Sequence, residues 1–222
     1  MEHAQRLIHY CLKMNKGTEL NLFGLGLTEL PDNLPDTLRY LNCSHNQIQS
    51  LPDNLPDTLE KLDCSENNLS KLPDKLPKSL SYLDCCWNNI TIIPSNLPKS
   101  LRYINLSFNK IINLPETLPD SLEILCFYNN MVIELPKNIP RSLKEIFIDN
   151  NNIQELSPKL KFSNCDVFWH HTEKLYCQGA KNIISRAVKK RKWNKRYKNW
   201  IICKRLCQHV DRDSSKIVTQ YL

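Results

Sequence analysis

A repeat of 21 residues constrains the fold of this chain more than any other feature of its sequence. Five successive units follow one another without insertion or deletion, and they begin at Leu38, Leu59, Leu80, Leu101 and Leu122. A partial unit around Leu20 precedes them, and a sixth begins at Leu143 and loses the pattern after Leu156. One such unit cannot bury its apolar residues alone, so stacking must supply the core. The sequence therefore predicts a solenoid.

The consensus of the unit, L-x-x-L-x-(C/L)-x-x-N-x-(I/L)-x-x-L-P-x-x-L-P-x-(S/T), divides into two halves. The first half has apolar residues at every second position, which is typical of a short strand with one buried face. The second half holds Leu-Pro dipeptides, which account for ten of the 13 prolines. Proline lacks an N–H and fixes φ, so this half is predicted to be extended or polyproline-like.

Two columns of recurring polar or small residues have a structural explanation. An asparagine recurs at the turn of each unit, where its amide can satisfy backbone groups of neighbouring coils. These residues are Asn46, Asn67, Asn88, Asn109, Asn130 and Asn151. Cys43, Cys64 and Cys85 occupy the position that larger apolar residues fill in later units. We therefore expect buried free thiols in a reducing compartment.

The repeat resembles leucine-rich repeats of the short, LP-rich type, which occur in secreted bacterial effectors and in proteins of giant amoeba-infecting viruses. The cysteines in the strand and the abundance of Asn, Ile and Lys favour the viral group. The resemblance covers residues 18–160. It implies a leucine-rich repeat solenoid with a curved parallel β-sheet on its concave face and an extended convex side. It also implies protein binding inside a cell, with the host cytoplasm as the expected location.

Aromatic residues gather where this fold would present its concave face. The first and third residues of each predicted strand, and the turn after it, should face solvent there. The aromatic residues at these positions that we select as candidate contacts are Tyr40, Tyr82, Trp87, Tyr103, Phe108 and Tyr128. Tyrosine and tryptophan are typical anchors of protein interfaces. The alternative is that they stack across strands and stabilise the sheet. An Asp63–Asp84 pair on adjacent strands is interpreted as surface charge.

The two ends of the chain differ from the repeats and from each other. Leu7, Ile8, Cys11 and Leu12 form one helical face, which predicts a helical cap over residues 1–17. Residues 161–222 are predicted to form a C-terminal cap and a basic helical tail. Residues 157–222 are strongly basic, with 16 Lys and Arg and four Asp and Glu. Residues 1–156 are slightly acidic, with 14 Lys and Arg and 19 Asp and Glu. The basic residues of the tail are Lys189, Lys190, Arg191, Lys192, Lys195, Arg196 and Lys198.

This tail supports a second function. A basic helix with an aromatic stripe can bind nucleic acid, anionic lipid or another acidic surface. The leading interpretation is a non-catalytic scaffold that binds an unidentified protein on the concave face. The alternative is a nucleic-acid or acidic-surface binder in which the repeats recruit a protein.

Catalytic and metal sites find little support in the sequence. Only four glycines are present, and no set of side chains forms a recognised catalytic constellation. The C-x-D motif of effector ubiquitin ligases has its nearest match at Cys165 and Asp166, without the spacer. Cys165, His170, His171 and Cys177 invite a zinc hypothesis, but their spacing is not that of a standard finger. We therefore predict no enzyme activity, no cofactor and no resident metal. No apolar run reaches the roughly 18 residues of a membrane span.

Overall fold

The computed structural model describes residues 2–14, 16–154, 160 and 165–168 of the chain. One helix, α1 (Glu2–Met14), is followed by eight strands of three residues each. The strands are β1 Glu19–Asn21, β2 Tyr40–Asn42, β3 Lys61–Asp63, β4 Tyr82–Asp84, β5 Tyr103–Asn105, β6 Ile124–Cys126, β7 Glu145–Phe147 and β8 Asp166–Phe168. They form one sheet in sequence order.

Every strand pairs in parallel with the next at an offset of one repeat. Leu41 lies opposite Leu62, for example, and Leu62 opposite Leu83. The middle residue of strands β1 to β7 is buried, and on most strands the first and third residues are half-buried or exposed. The predicted parallel sheet with one leucine-lined interior is therefore confirmed.

In the units whose second half is described, up to residue 142, the Leu-Pro half contains no helix, as the prolines predict. A turn begins at the second proline of this half. In the first unit, Leu38 N donates to the Pro35 carbonyl at 2.9 Å, and the equivalent bond recurs in the next five units. The serine or threonine that ends the unit links one coil to the preceding one. Thr58 Oγ1 donates to the Leu38 carbonyl at 2.9 Å, and Ser100 Oγ donates to the Leu80 carbonyl at 2.7 Å.

The asparagine column forms the predicted hydrogen-bond ladder. Asn88 Nδ2 donates to the carbonyls of Cys64 at 3.0 Å and Cys85 at 3.1 Å. Its Oδ1 accepts from Leu69 N of the preceding unit at 2.9 Å. The other asparagines of the column make equivalent bonds. Each therefore joins two coils and satisfies a backbone N–H that would otherwise lack a partner.

The cysteine column lies in the same interior. Cys43, Cys64 and Cys85 are fully buried and free, which confirms the prediction of buried thiols. Burial raises the pKa of all three thiols well above the ordinary value. A thiol that does not ionise is a poor nucleophile, so these residues act as small apolar side chains.

The described residues at the two ends of the sheet show features that the sequence does not predict. In α1, Ile8 is buried in the core and Leu7 packs against it, but Leu12 of the predicted apolar face is 52 % exposed. At the other end, β8 begins 21 residues after β7 and therefore continues the repeat beyond residue 160. The repeat consensus does not identify this strand, because Asn164 and Trp169 occupy the positions that are equivalent to Leu143 and Ile148 in the preceding unit. No helix among the described residues is long and apolar enough to cross a membrane.

Candidate protein-binding face

One side of the sheet is open to solvent and collects the aromatic and charged side chains. We call it the sheet face: the first and third residues of each strand together with the turn residues that follow. It corresponds to the surface that the sequence predicts as concave. The strands hold its residues in register at spacings of about 4.8 Å, so equivalent positions of consecutive units become neighbours.

The first aromatic group on the sheet face is a pair of tyrosines. Tyr82 on β4 and Tyr103 on β5 are in register, and their rings stack at 4.4 Å between centroids with an angle of 3° between planes. Both are half-buried. Burial, as the largest cause, raises the pKa of both hydroxyls. The pair is therefore neutral at physiological pH and presents a flat aromatic surface.

A second aromatic group lies in the turns after β4, β5 and β6. Trp87 stacks on Phe108 with centroids 3.9 Å apart and an interplanar angle of 11°, and Tyr128 meets Phe108 edge-on at 5.1 Å. Trp87 is 42 % exposed. Trp87 and Phe108 adopt φ values of 55° and 54°, in the left-handed region that disfavours bulky side chains.

Two neighbouring carboxylates lie beside the aromatic groups, and one of them, Asp84, stands between Tyr82 and Trp87 in its unit. Asp63 on β3 and Asp84 on β4 are paired in register. Cys86 N donates to Asp84 Oδ1, and Asn105 Nδ2 donates to Asp84 Oδ2, both at 3.1 Å. Burial, followed by the charge of Asp63, raises the pKa of Asp84 to about 6. The interpretation of this pair as ordinary surface charge is therefore incomplete, because Asp84 is half-buried.

An open groove of about 830 Å³ extends from Asp63 and Tyr82 toward the N-terminal strands. Its lining residues are Thr18, Glu19, Arg39, Tyr40, Glu60, Lys61, Asp63 and Tyr82. Tyr40 is half-buried and two strands away from Tyr82, with Lys61 on the strand between them. The structure thus joins five of the six predicted aromatic residues into two groups and leaves Tyr40 apart, in the groove.

Ion pairs border this face without entering its centre. Arg39 pairs with Glu60 at 3.0 Å, and Glu123 pairs with Arg102 at 3.1 Å and with Lys144 at 2.5 Å. These side chains are mostly exposed, so such pairs contribute little to stability. His45 lies 3.0 Å from Glu66, whose hydrogen bond raises the pKa of the imidazole.

The other predicted sites lie mainly outside the described residues. This applies to the basic tail, with Lys189, Lys190, Arg191, Lys192, Lys195, Arg196 and Lys198, and to three of the four zinc candidates, His170, His171 and Cys177. Cys165 is described, and it is a buried free cysteine just before β8.

A stack of parallel strands with an asparagine ladder and Leu-Pro return segments defines a leucine-rich repeat protein. The sequence matches the leucine-rich repeat family over residues 37–57, 58–78 and 100–125. The solved leucine-rich repeat domain of a Shigella effector is 34 % identical, with 82 % of this chain and 81 % of that chain covered and a TM-score of 0.71. The chain therefore belongs to the leucine-rich repeat family.

A second solved relative is YopM, a leucine-rich effector protein from Yersinia pestis. It is 30 % identical with a TM-score of 0.63, and the match covers 76 % of this chain but only 52 % of YopM. A functional domain of InlJ from Listeria monocytogenes, which includes a cysteine ladder, is 22 % identical with a TM-score of 0.58 and shares the fold. The match covers 73 % of this chain and 42 % of the InlJ chain.

A search of curated proteins gave no match. The relatives described here are bacterial, so they support the bacterial side of the sequence resemblance and give no support to a viral origin.

Proposed function

We propose that this protein is a non-catalytic scaffold that binds a partner protein on the sheet face, with Tyr82, Tyr103, Trp87 and Phe108 as the principal contacts. Tyr40 and Tyr128 extend the contact surface on either side. The observation that carries the proposal is the stack of exposed Trp87 on half-buried Phe108, beside a second aromatic stack on the same two units.

The backbone conformation at the turn argues against a purely structural role for Trp87 and Phe108. Equivalent positions in other units hold His45, Glu66, Asn129 and Asn150, all with φ between 51° and 55°. Asparagine adopts this conformation more readily than a large aromatic residue, for which it costs about 1–2 kcal/mol. The repeat can therefore form without aromatic residues at this turn, and their stacking offsets only part of that cost.

The relatives support a binding role. The Shigella domain and YopM are both described as effectors, and a sheet face on a regular solenoid is a common place for protein recognition. We extend this to the present chain by proposing a partner inside a cell, and we assign it no reaction. The alternative function through the basic tail stays a prediction, because its residues lie outside the described part of the chain.

Affinity purification with Trp87→Ala tests the proposal. We expect the tagged wild-type chain to retain a specific protein from cytosol and the variant to lose at least about 90 % of it, because removal of a central aromatic anchor costs about 2 kcal/mol or more of binding free energy. Ile92→Ala is the matched control, since Ile92 is 69 % exposed and lies in the second half of its unit.

Circular dichroism should show the same fold for wild type and both variants. Equal capture by wild type and Trp87→Ala would contradict the proposal, as would equal losses in the Trp87 and Ile92 variants. Tyr103→Ala provides an independent second substitution and should weaken capture in the same direction.

A further inference from the structure

Two carboxylates lie side by side near the middle of the sheet face. Asp63 on β3 and Asp84 on β4 are in register, and the first and third positions of these two strands hold the single cation Lys61. The arginines of the border, Arg39 and Arg102, are already paired with Glu60 and Glu123. A partner that docks on this face therefore meets a negative field, which favours positive charge.

At the centre of the face, negative charge is present although the fold does not need it. Asp63 Oδ1 and Asp84 Oδ1 each accept from the backbone N–H two residues later, at 3.1 Å. In other units Asn42 and Asn105 accept the same bond at 3.0 and 3.1 Å. An uncharged asparagine therefore satisfies this turn equally well, and the two adjacent carboxylates repel each other.

No cation of the described chain compensates these two carboxylates. Within residues 16–154, no ion pair engages Asp63 or Asp84. Asp84 comes two residues after Tyr82 and three before Trp87, so it lies between the two aromatic groups along its unit, and Asp63 lies beside it on the neighbouring strand. Carboxylate and aromatic ring together are the surroundings that a guanidinium group prefers, because its planar fork binds carboxylates and its face stacks on rings.

We propose that the sheet face binds an arginine-bearing segment of its partner protein, with one guanidinium at Asp63 and Asp84 and its stem against Tyr82, Tyr103 or Trp87. The inference rests on the proposed function, since it names the chemistry of the partner that the same face recognises. The charge of these two carboxylates, next to the aromatic groups, selects a cationic segment.

Fluorescence anisotropy with the full chain tests the inference. The probe is a fluorescein-labelled peptide of alternating arginine and serine, and the control peptide carries citrulline, which keeps the shape of arginine but has no charge. We expect the arginine peptide to bind and the citrulline peptide to bind at least about tenfold more weakly, which corresponds to about 1.4 kcal/mol.

The decisive variant is the double substitution Asp63→Asn and Asp84→Asn, which preserves the acceptors of the turn. Its control is Asp53→Asn with Asp74→Asn, which removes the same charge from exposed Leu-Pro segments. We expect the first variant to lose at least about tenfold in affinity and the second to change it less than about twofold. Equal losses in the two variants, equal binding of the two peptides, or no binding by the wild type would overturn the inference.

The outcome is separable from the test of the proposed function. Should Trp87→Ala lose the captured protein while the Asp63 and Asp84 variant retains it, the sheet face is the binding surface but arginine recognition is wrong. Should both variants retain it, the proposed function itself is wrong.

Discussion

Asp84 destabilises the fold at neutral pH, and its replacement by asparagine should therefore stabilise the protein. The pKa of this carboxyl is about 6 in the folded chain, against an ordinary value of 3.8, because of its burial and the neighbouring Asp63. A pKa that is higher in the folded state contributes stability at low pH, and this contribution is lost as the pH rises from about 4 through 6.

The size of the effect follows from the two pKa values. One pKa unit corresponds to about 1.4 kcal/mol, so ionised Asp84 lowers the free energy of unfolding by about 3 kcal/mol at pH 8 and by about 0.5 kcal/mol at pH 4. In Asp84→Asn the amide oxygen still accepts from Cys86 N, whereas the bond from Asn105 Nδ2 to Asp84 Oδ2 is lost. That loss costs about 1 kcal/mol at either pH.

We therefore expect the difference in stability between Asp84→Asn and wild type to rise by about 2 kcal/mol from pH 4 to pH 8. Urea unfolding followed by far-UV circular dichroism at several pH values measures this difference. Asp53→Asn, which removes a carboxylate from an exposed turn, is the control and should show no such rise. A difference that does not depend on pH, or one that falls as the pH increases, would refute the argument.

Two further predictions concern the interior. Asn88→Ala should lower the free energy of unfolding by about 2 kcal/mol, because it leaves Leu69 N–H buried without a partner and leaves the Cys64 carbonyl with Asn67 Nδ2 as its one amide donor. The exposed Asn68→Ala should change it by less than about 0.5 kcal/mol in the same urea titration. Cys43, Cys64 and Cys85 should resist iodoacetamide at pH 8 in the native protein and react only in denaturant. The reason is that the three thiols are fully buried and their pKa is raised. Peptide mass spectrometry measures the modification, and alkylation of these cysteines in the native protein would contradict the prediction.

The regularity of the repeat explains why so much of the fold is predictable. An unbroken spacing of 21 residues places equivalent side chains at neighbouring positions, so the strands, their register and the asparagine ladder follow without knowledge of any tertiary contact. Prediction fails where the pattern ends. The strand β8 keeps the spacing, but Val167 alone represents the apolar consensus there, and only pairing with Ile146 reveals it.

The candidate site likewise has features that the sequence predicts and features that only the tertiary structure decides. The sequence by itself determines that aromatic residues and carboxylates lie on one face of the sheet, because the period of two in each strand fixes the direction of their side chains. Only the tertiary structure decides that Tyr82 stacks on Tyr103 and Trp87 on Phe108, and that Asp84 is half-buried with a raised pKa. Rotamers, burial and the charge of a neighbour are set by packing between coils, which no spacing within one unit specifies.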